Sequence, residues 1–232
     1  MSSLAVNLAG ISLRNPVLLA AGTAGTMHEM GEVIDLSRIG GVVSKSITRE
    51  PREGNATWRI LPHPSATGLG MLNAIGLANP GIDAFAREYW PRRAGMACAV
   101  IGSVAGFSVD DYVVVAAEMA EWGGGGEGTP GRGLAAIELN LSCPNVKHGT
   151  EFGASPAGAA EVVRAVRGVA GRVPLLGKLP PGAPAISALA PAPGHDRPGE
   201  RHVQAVAHGG VVGAGPGGVL GHRERLAGQQ RL

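Results

Sequence analysis

Two cysteines in 232 residues are too few for a disulfide framework. Neither belongs to a CxxC pair or to a Cys/His ligand spacing, which argues against an iron–sulfur or zinc centre in this chain. Cys98 stands near the start of one expected strand and Cys143 just past the end of the next. Several residues at roughly 3.3 Å each separate those positions, too far for a disulfide. The formal net charge is only +2, with no long basic run, so nothing electrostatic points to nucleic acid. No apolar stretch approaches the roughly 20 residues that cross a bilayer. Residues 1–10 lack a basic region followed by an apolar one, so no signal peptide is expected. A cytoplasmic protein with reduced thiols is the reading. What is present is 44% hydrophobic content, enough for one core and one domain.

The apolar content falls into short runs separated by turn and helix signals. Leu4–Leu8 and Ile11–Leu13, split by Ala9-Gly10, predict a hairpin. Strands are expected over Val17–Ala21, Val42–Thr48, Ala97–Ser103, Leu134–Leu141 and Val173–Leu179. Helices are expected over Glu29–Ser37, Ile82–Arg93, from Ser108 to about Trp122, and from Ser155-Pro156 to Gly171. Ser108 and Asp111 have the spacing of a helix-start cap, and Ser155-Pro156 reads as an N-cap followed by Pro at the first helical position. The connection from Arg49 to Pro80 shows little regular structure in its pattern and is long enough to be functional. Gly123–Gly133 reads as a flexible surface loop.

Each of the five strands ends at a polar residue: Thr23, Lys45, Ser103, Asn140 and Lys178. That placement predicts a (β/α)8 barrel with its site at the C-terminal ends of the strands, here incomplete, with about five βα units recognisable. A doubly wound sheet is the alternative, but no GxGxxG opens the first helix. Lys45 lies within an apolar strand, and a buried ammonium needs an anion or a strong acceptor, unless it snorkels or sits on an edge. Gly22 permits close approach to a ligand, or marks a plain βα turn. Most telling is the run Ile137-Glu138-Leu139-Asn140-Leu141-Ser142-Cys143-Pro144-Asn145. Pro144 ends the ladder and biases Cys143 toward an extended conformation, placing a thiol and two carboxamides together past a strand end. A buried structural Cys beside turn-forming asparagines is the plain alternative.

This run resembles the active-site segment of the class 1 dihydroorotate dehydrogenases, those with a Cys base. Met71-Leu72-Asn73-Ala74-Ile75-Gly76-Leu77-Ala78-Asn79-Pro80-Gly81 resembles the same family's substrate loop. The resemblance covers about Leu4 to Leu179. It implies a TIM barrel that uses FMN to oxidise dihydroorotate to orotate in pyrimidine (UMP) biosynthesis. Cys143 then matches the base that takes the C5 proton, while C6 delivers hydride to the flavin. Lys45, Asn73, Ala74, Ile75, Gly76, Leu77, Asn140 and Asn145 match substrate-binding positions. Ala21, Gly22, Lys45, Ser46, Ser103, Asn140 and Lys178 match flavin positions, with Lys178 stabilising negative charge on the reduced ring. Ala21 replaces the family's usual Ser and Ser103 its usual Asn, which weakens flavin contacts. The Cys base points away from the quinone-linked class 2 enzymes. Asn140 to Gly149 is most like the NAD-linked (class 1B) catalytic subunits, homodimers that pass electrons to a partner subunit carrying FAD and a 2Fe-2S cluster. Fumarate is the other acceptor used within class 1.

Residues 180–232 change character: no Lys, Asn or aromatic residue occurs there, and Gly, Pro, Arg and His abound. The chain thus divides into a barrel portion, 1–179, and a Gly/Pro/Arg-rich tail, 180–232, whose apolar runs are Ala185–Ala190 and Val211-Val212. The reading is of a dihydroorotate dehydrogenase truncated or frameshifted after about Leu179. Gly213–Gly218 matches the family's phosphate-holding turns in composition alone, so weak FMN binding is expected. An inactive remnant, or a related dihydropyrimidine or dihydrouridine flavoenzyme, are the competing readings. The Asn73 loop together with Asn140 and Asn145 disfavours the last.

Overall fold

The computed structural model describes residues 4–65, 68–123, 133–142, 152–179, 203–207 and 210–212. β1 (Val6–Leu8) and β2 (Ile11–Leu13) form the expected antiparallel hairpin. β3 (Leu18–Leu19), β4 (Gly41–Val43), β7 (Ala99–Val104), β8 (Leu134–Asn140) and β9 (Leu175–Leu179) then pair in parallel, each beside the one before it in this series. Between β4 and β7 the chain also makes a separate antiparallel ribbon, β5 (Ile60–Ser65) with β6 (Gly68–Asn73). Successive βα units laid side by side in this way make a parallel half-barrel.

Two helices pack on the outer face of the sheet and on each other. α2 (Val109–Glu121) starts in a full capping box: Asp111 N–H donates to Ser108 Oγ at 3.1 Å, and Asp111 Oδ2 accepts from Ser108 N–H at 3.1 Å. α3 (Pro156–Val169) starts at Ser155, whose Oγ accepts from Gly158 N–H. Gly171, at φ +51°, follows its C-terminal end. Their buried faces, with Val115, Met119, Val162 and Val166, meet Val100, Ile137 and Leu175 from the outer face of the sheet. Alternate residues of the same strands point the other way. Ile101, Ala136 and Leu176 form a second core with Leu8, Ile11 and Leu13, so the N-terminal hairpin plugs the inside of the half-barrel. Burying a side chain of this size contributes about 1.5–3 kcal/mol.

Three expectations are corrected. Glu29–Ser37 is not an α-helix but two 3-10 turns, Glu29–Glu32 and Leu36–Arg38. The Glu29 carboxylate accepts the N–H groups of Thr26, Met27 and His28, and Asp35 caps the second turn through Ser37 N–H. These local bonds replace those a longer helix would make. The stretch 49–80 is not without regular structure, because it holds the β5–β6 ribbon. The helix after it is short: α1 (Gly81–Ala84) passes into a π turn, Phe85–Tyr89, and a 3-10 turn, Trp90–Gly95, where Pro91 cannot donate a backbone N–H.

The tail contributes more than its pattern suggested. β10 (Val203–Ala207) adds in parallel to β9, and β11 (Gly210–Val212) returns antiparallel to it. The unpaired N–H and C=O groups of β9 template this addition, so that edge of the five-strand sheet is covered. At the opposite edge β3 is only two residues long. Among the described residues, no helix is long and apolar enough to cross a membrane.

Candidate functional site

A run of buried polar side chains occupies the inner face of the sheet at the C-terminal ends of β4, β7, β8 and β9. It is built by strand alternation. Glu138 and Asn140, two apart on β8, share a face. The register sets Ser103 beside Glu138 and Lys178 beside Asn140. These positions continue the column that begins with Ala99, Ile101, Ala136 and Leu176 deeper in the half-barrel.

A bulge brings in the fourth strand. Ser44 N–H donates to Ile101 O at 2.9 Å, and a regular parallel ladder would give Ser103 O to Ser46 N–H. It goes instead to Ile47 N–H at 2.8 Å, so one extra residue is inserted after β4. The Ser44 hydroxyl replaces the missing ladder acceptor by taking Ser103 N–H at 3.0 Å. Lys45 therefore lies in a bulge rather than inside a strand, which corrects the expectation of a strand running on to Thr48. It is half-buried, and its N–H donates to Thr26 O at 2.7 Å. Its side chain lies over Gly22, which has φ +78°; a Cβ added there would stand 3.4 Å from Lys45 Nζ. The close approach that Gly22 permits is thus to the lysine. Ala21 beside it is half-buried and packs on the inner core.

The buried groups form one connected line. Asn140 Nδ2 donates to Ser46 Oγ at 3.0 Å, Ser46 and Ser103 hydroxyls meet at 2.9 Å, and Ser103 Oγ donates to Glu138 Oε1 at 3.0 Å. Lys178 Nζ reaches the same Glu138 oxygen at 3.3 Å. A hydroxyl has one proton, and that of Ser103 goes to the carboxylate, so Ser46 must be the donor to Ser103. Every bond therefore points toward Glu138. Ser103 is 0% exposed, Glu138 4%, Asn140 7% and Lys178 7%. The other end of Asn140 is held as well: its Oδ1 accepts from the Ser142 hydroxyl at 3.0 Å, and its backbone O from Tyr112 on α2 at 2.7 Å.

Removing that last bond gives a test. Tyr112→Phe strands a buried carbonyl and is expected to lower the unfolding free energy by about 1–2 kcal/mol. Urea unfolding checks this, and no loss would show that the bond does not hold Asn140.

The Asn73–Leu77 segment hangs from a different frame. Asn79, buried, accepts Thr48 and Gly81 N–H groups through Oδ1 and donates to Thr48 Oγ1 and Leu77 O. Asn55 Nδ2 donates to Ala74 O at 2.8 Å and Asn55 N–H to Ile75 O at 3.0 Å. Gly76 and Leu77 both have positive φ, +75° and +57°. A Cβ on Gly76 would come within 2.6 Å of Asn55 N, so the turn requires glycine there. The carbonyls of residues 74–77 are thus engaged in shaping the loop, while the Asn73 and Ala74 side chains are exposed. Cys143 and Asn145 lie outside the described residues.

Glu138, Ser44, Asn79 and Tyr112 were missed as site-building residues. Glu138 carried a signal: it is an acidic residue two before Asn140 in an otherwise apolar strand, hence on the same inner face. A cleft of about 220 Å³ opens far from this network, at the C-terminal ends of α2 and α3 and the starts of β8 and β9. No group of three or more potential metal ligands occurs among the described residues.

Comparison with known proteins identifies the family. Residues 3–194 match the family model described as dihydroorotate dehydrogenase. The chain is 43% identical over 187 residues to a protein of Desulforudis audaxviator, covering 80% of this chain and 56% of that one. It is 42% identical over 193 residues to one of Parabacteroides distasonis, covering 83% and 59%. A Bacteroides thetaiotaomicron protein is 41% identical over 193 residues, with the same coverage of 83% and 59%. All three are named dihydroorotate dehydrogenase B (NAD(+)), catalytic subunit. The chain therefore spans a little over half the length of these relatives. A parallel half-barrel with a lysine and an asparagine on its inner wall at the strand ends, matched by the family model over most of its length, belongs to the dihydroorotate dehydrogenase family.

Proposed function

We propose that this chain is the barrel portion of the catalytic subunit of an NAD-linked dihydroorotate dehydrogenase, acting in the cytoplasm on dihydroorotate with FMN. The observation that carries the reading is the buried Lys178–Glu138–Ser103–Ser46–Asn140 line at the strand ends.

The residues fit a flat heterocycle with alternating N–H and C=O groups. Lys178 has three N–H bonds and spends one on Glu138; Asn140 has two amide hydrogens and spends one on Ser46. Both can donate further toward a ligand at the mouth of the half-barrel. Lys45, laid across Gly22, supplies a second ammonium at the same sheet end. FMN, when bound, supplies the hydride acceptor. The Cys143 thiolate takes the C5 proton of dihydroorotate as the C6 hydride leaves, and the two electrons of the broken C–H bond go with the hydride. Asn73, Asn140 and Asn145 hold the pyrimidine ring, and the Ala74–Leu77 turn sets where Asn73 stands. The apolar plug from β1 and β2 closes the bottom of the half-barrel to water. A partner subunit bearing FAD and a 2Fe-2S cluster would carry the electrons on to NAD, with the catalytic subunit as a homodimer.

Anaerobic addition of dihydroorotate to the protein with excess FMN tests this. Bleaching of the flavin band with release of orotate is expected. Flavin that is bound but never bleached would support the inactive-remnant reading.

The two thiols separate chemically. Burial pushes the Cys98 thiol up to about 11, with the Arg14 charge opposing. A folded-state value above the ordinary one means the neutral thiol is favoured, and ionisation destabilises the fold only as pH climbs from about 9 toward 11. At neutral pH an alkylating reagent is therefore expected to label Cys143 and spare Cys98 in the native protein. Peptide mass mapping checks this, and labelled Cys98 would contradict it.

A further inference from the structure

We propose that Glu138 is the positioning residue of this site: its carboxylate fixes the Lys178 ammonium and orients the Asn140 carboxamide, and its charge sets how strongly the site prefers an electron-rich ligand. The inference rests on the reading that a flavin ring lies against Lys178. Glu138 reaches no ligand itself. It is 4% exposed, at the centre of the line, and accepts from both Ser103 Oγ and Lys178 Nζ through one oxygen. Ser46 and Ser103 have one hydroxyl proton each, and both are directed along the line toward the carboxylate. Glu138 therefore sets their direction and, together with Ser142 at the other end, orients the Asn140 amide.

Packing does not account for an acid at this position. A buried carboxylate carries a large desolvation cost that an apolar side chain of equal size avoids. Its effect on charge does. With Glu138 ionised and Lys178 protonated the pair is neutral, so the ammonium's attraction for negative charge on a neighbouring ring is attenuated. Removing only the negative charge exposes that ring to an uncompensated cation.

Glu138→Gln keeps the shape and an acceptor for Ser103 but removes the charge. Oxidised and reduced FMN are titrated anaerobically into the wild-type chain, Glu138→Gln and Glu138→Asp, and the midpoint potential of the bound flavin is measured. Glu138→Gln is expected to raise the preference for reduced over oxidised FMN about tenfold, which for a two-electron couple is about 30 mV. Glu138→Asp keeps the charge, so it should retain the wild-type preference while both forms bind more weakly. A Glu138→Gln protein with the wild-type preference and potential overturns the proposal. Should Glu138→Gln fail to fold, Glu138→Asp decides, and an altered preference at conserved charge overturns it. If the wild-type chain binds neither form, the flavin reading fails and takes this inference with it. Binding without a charge effect defeats the inference alone.

Discussion

Lys178→Met is expected to lower the unfolding free energy by about 3–5 kcal/mol. The lysine and its partner are 7% and 4% exposed, and Glu138 is the only acid within the inner-face line. Methionine fills nearly the same volume, so cavity formation is a small part of the loss. What remains is a carboxylate in the barrel interior with one serine hydroxyl and no countercharge. The double variant Glu138→Gln with Lys178→Met removes both charges and should recover much of the stability, since replacing a whole buried pair costs far less than breaking it. Urea unfolding followed by circular dichroism measures all three proteins. A loss below about 1 kcal/mol in the single variant would mean that water or another group compensates Glu138, and the site's electrostatic frame would need redrawing.

Cys143→Ser is expected to slow flavin reduction by dihydroorotate on the order of 100-fold or more, most strongly near neutral pH. A thiol titrates near 8.5 and supplies a usable fraction of thiolate, whereas a serine hydroxyl must lose its proton from a far weaker acid. Substrate binding should change little, because the ring is assigned to Asn73, Asn140 and Asn145. Stopped-flow reduction under anaerobic conditions gives rate and affinity separately. An unchanged rate removes Cys143 from the role of base. A loss confined to affinity would make it a binding residue.

Much of the architecture was legible because its causes are local. Ser108 with Asp111, and Ser155 before Pro156, announce their helices through bonds made within one turn. The five core strands appear as short apolar runs. The errors have two physical origins: side-chain bonds of Glu29 and Asp35 to nearby N–H groups that displace a helix, and bonds to groups distant in sequence. Nothing near Lys45 indicates that Ser103 O will bond Ile47 rather than Ser46, and that choice makes the bulge. The Arg49–Pro80 segment gains order from a ribbon and from Asn79 bonded back to Thr48, 31 positions away. Val203–Ala207 is too weakly patterned to call a strand alone, and becomes one against the open edge of β9.

The same division holds for the site. Sequence by itself determined the βα alternation and the run from Ile137 to Asn145, because continuous apolar runs and a strand-ending Pro are readable one element at a time. It also placed Ser103, Asn140 and Lys178 at neighbouring strand ends. Only the tertiary structure decided what those residues do to one another. Parallel register put Ser103 beside Glu138 and Asn140 beside Lys178, and the bulge swung Ser46 into line with them. Glu138, one letter in an apolar strand, becomes the common acceptor because the low-polarity interior leaves a lysine and a serine hydroxyl few other partners. Hydrogen-bond direction and charge pairing depend on distances across strands up to 94 positions apart, and those distances exist only once the sheet has formed.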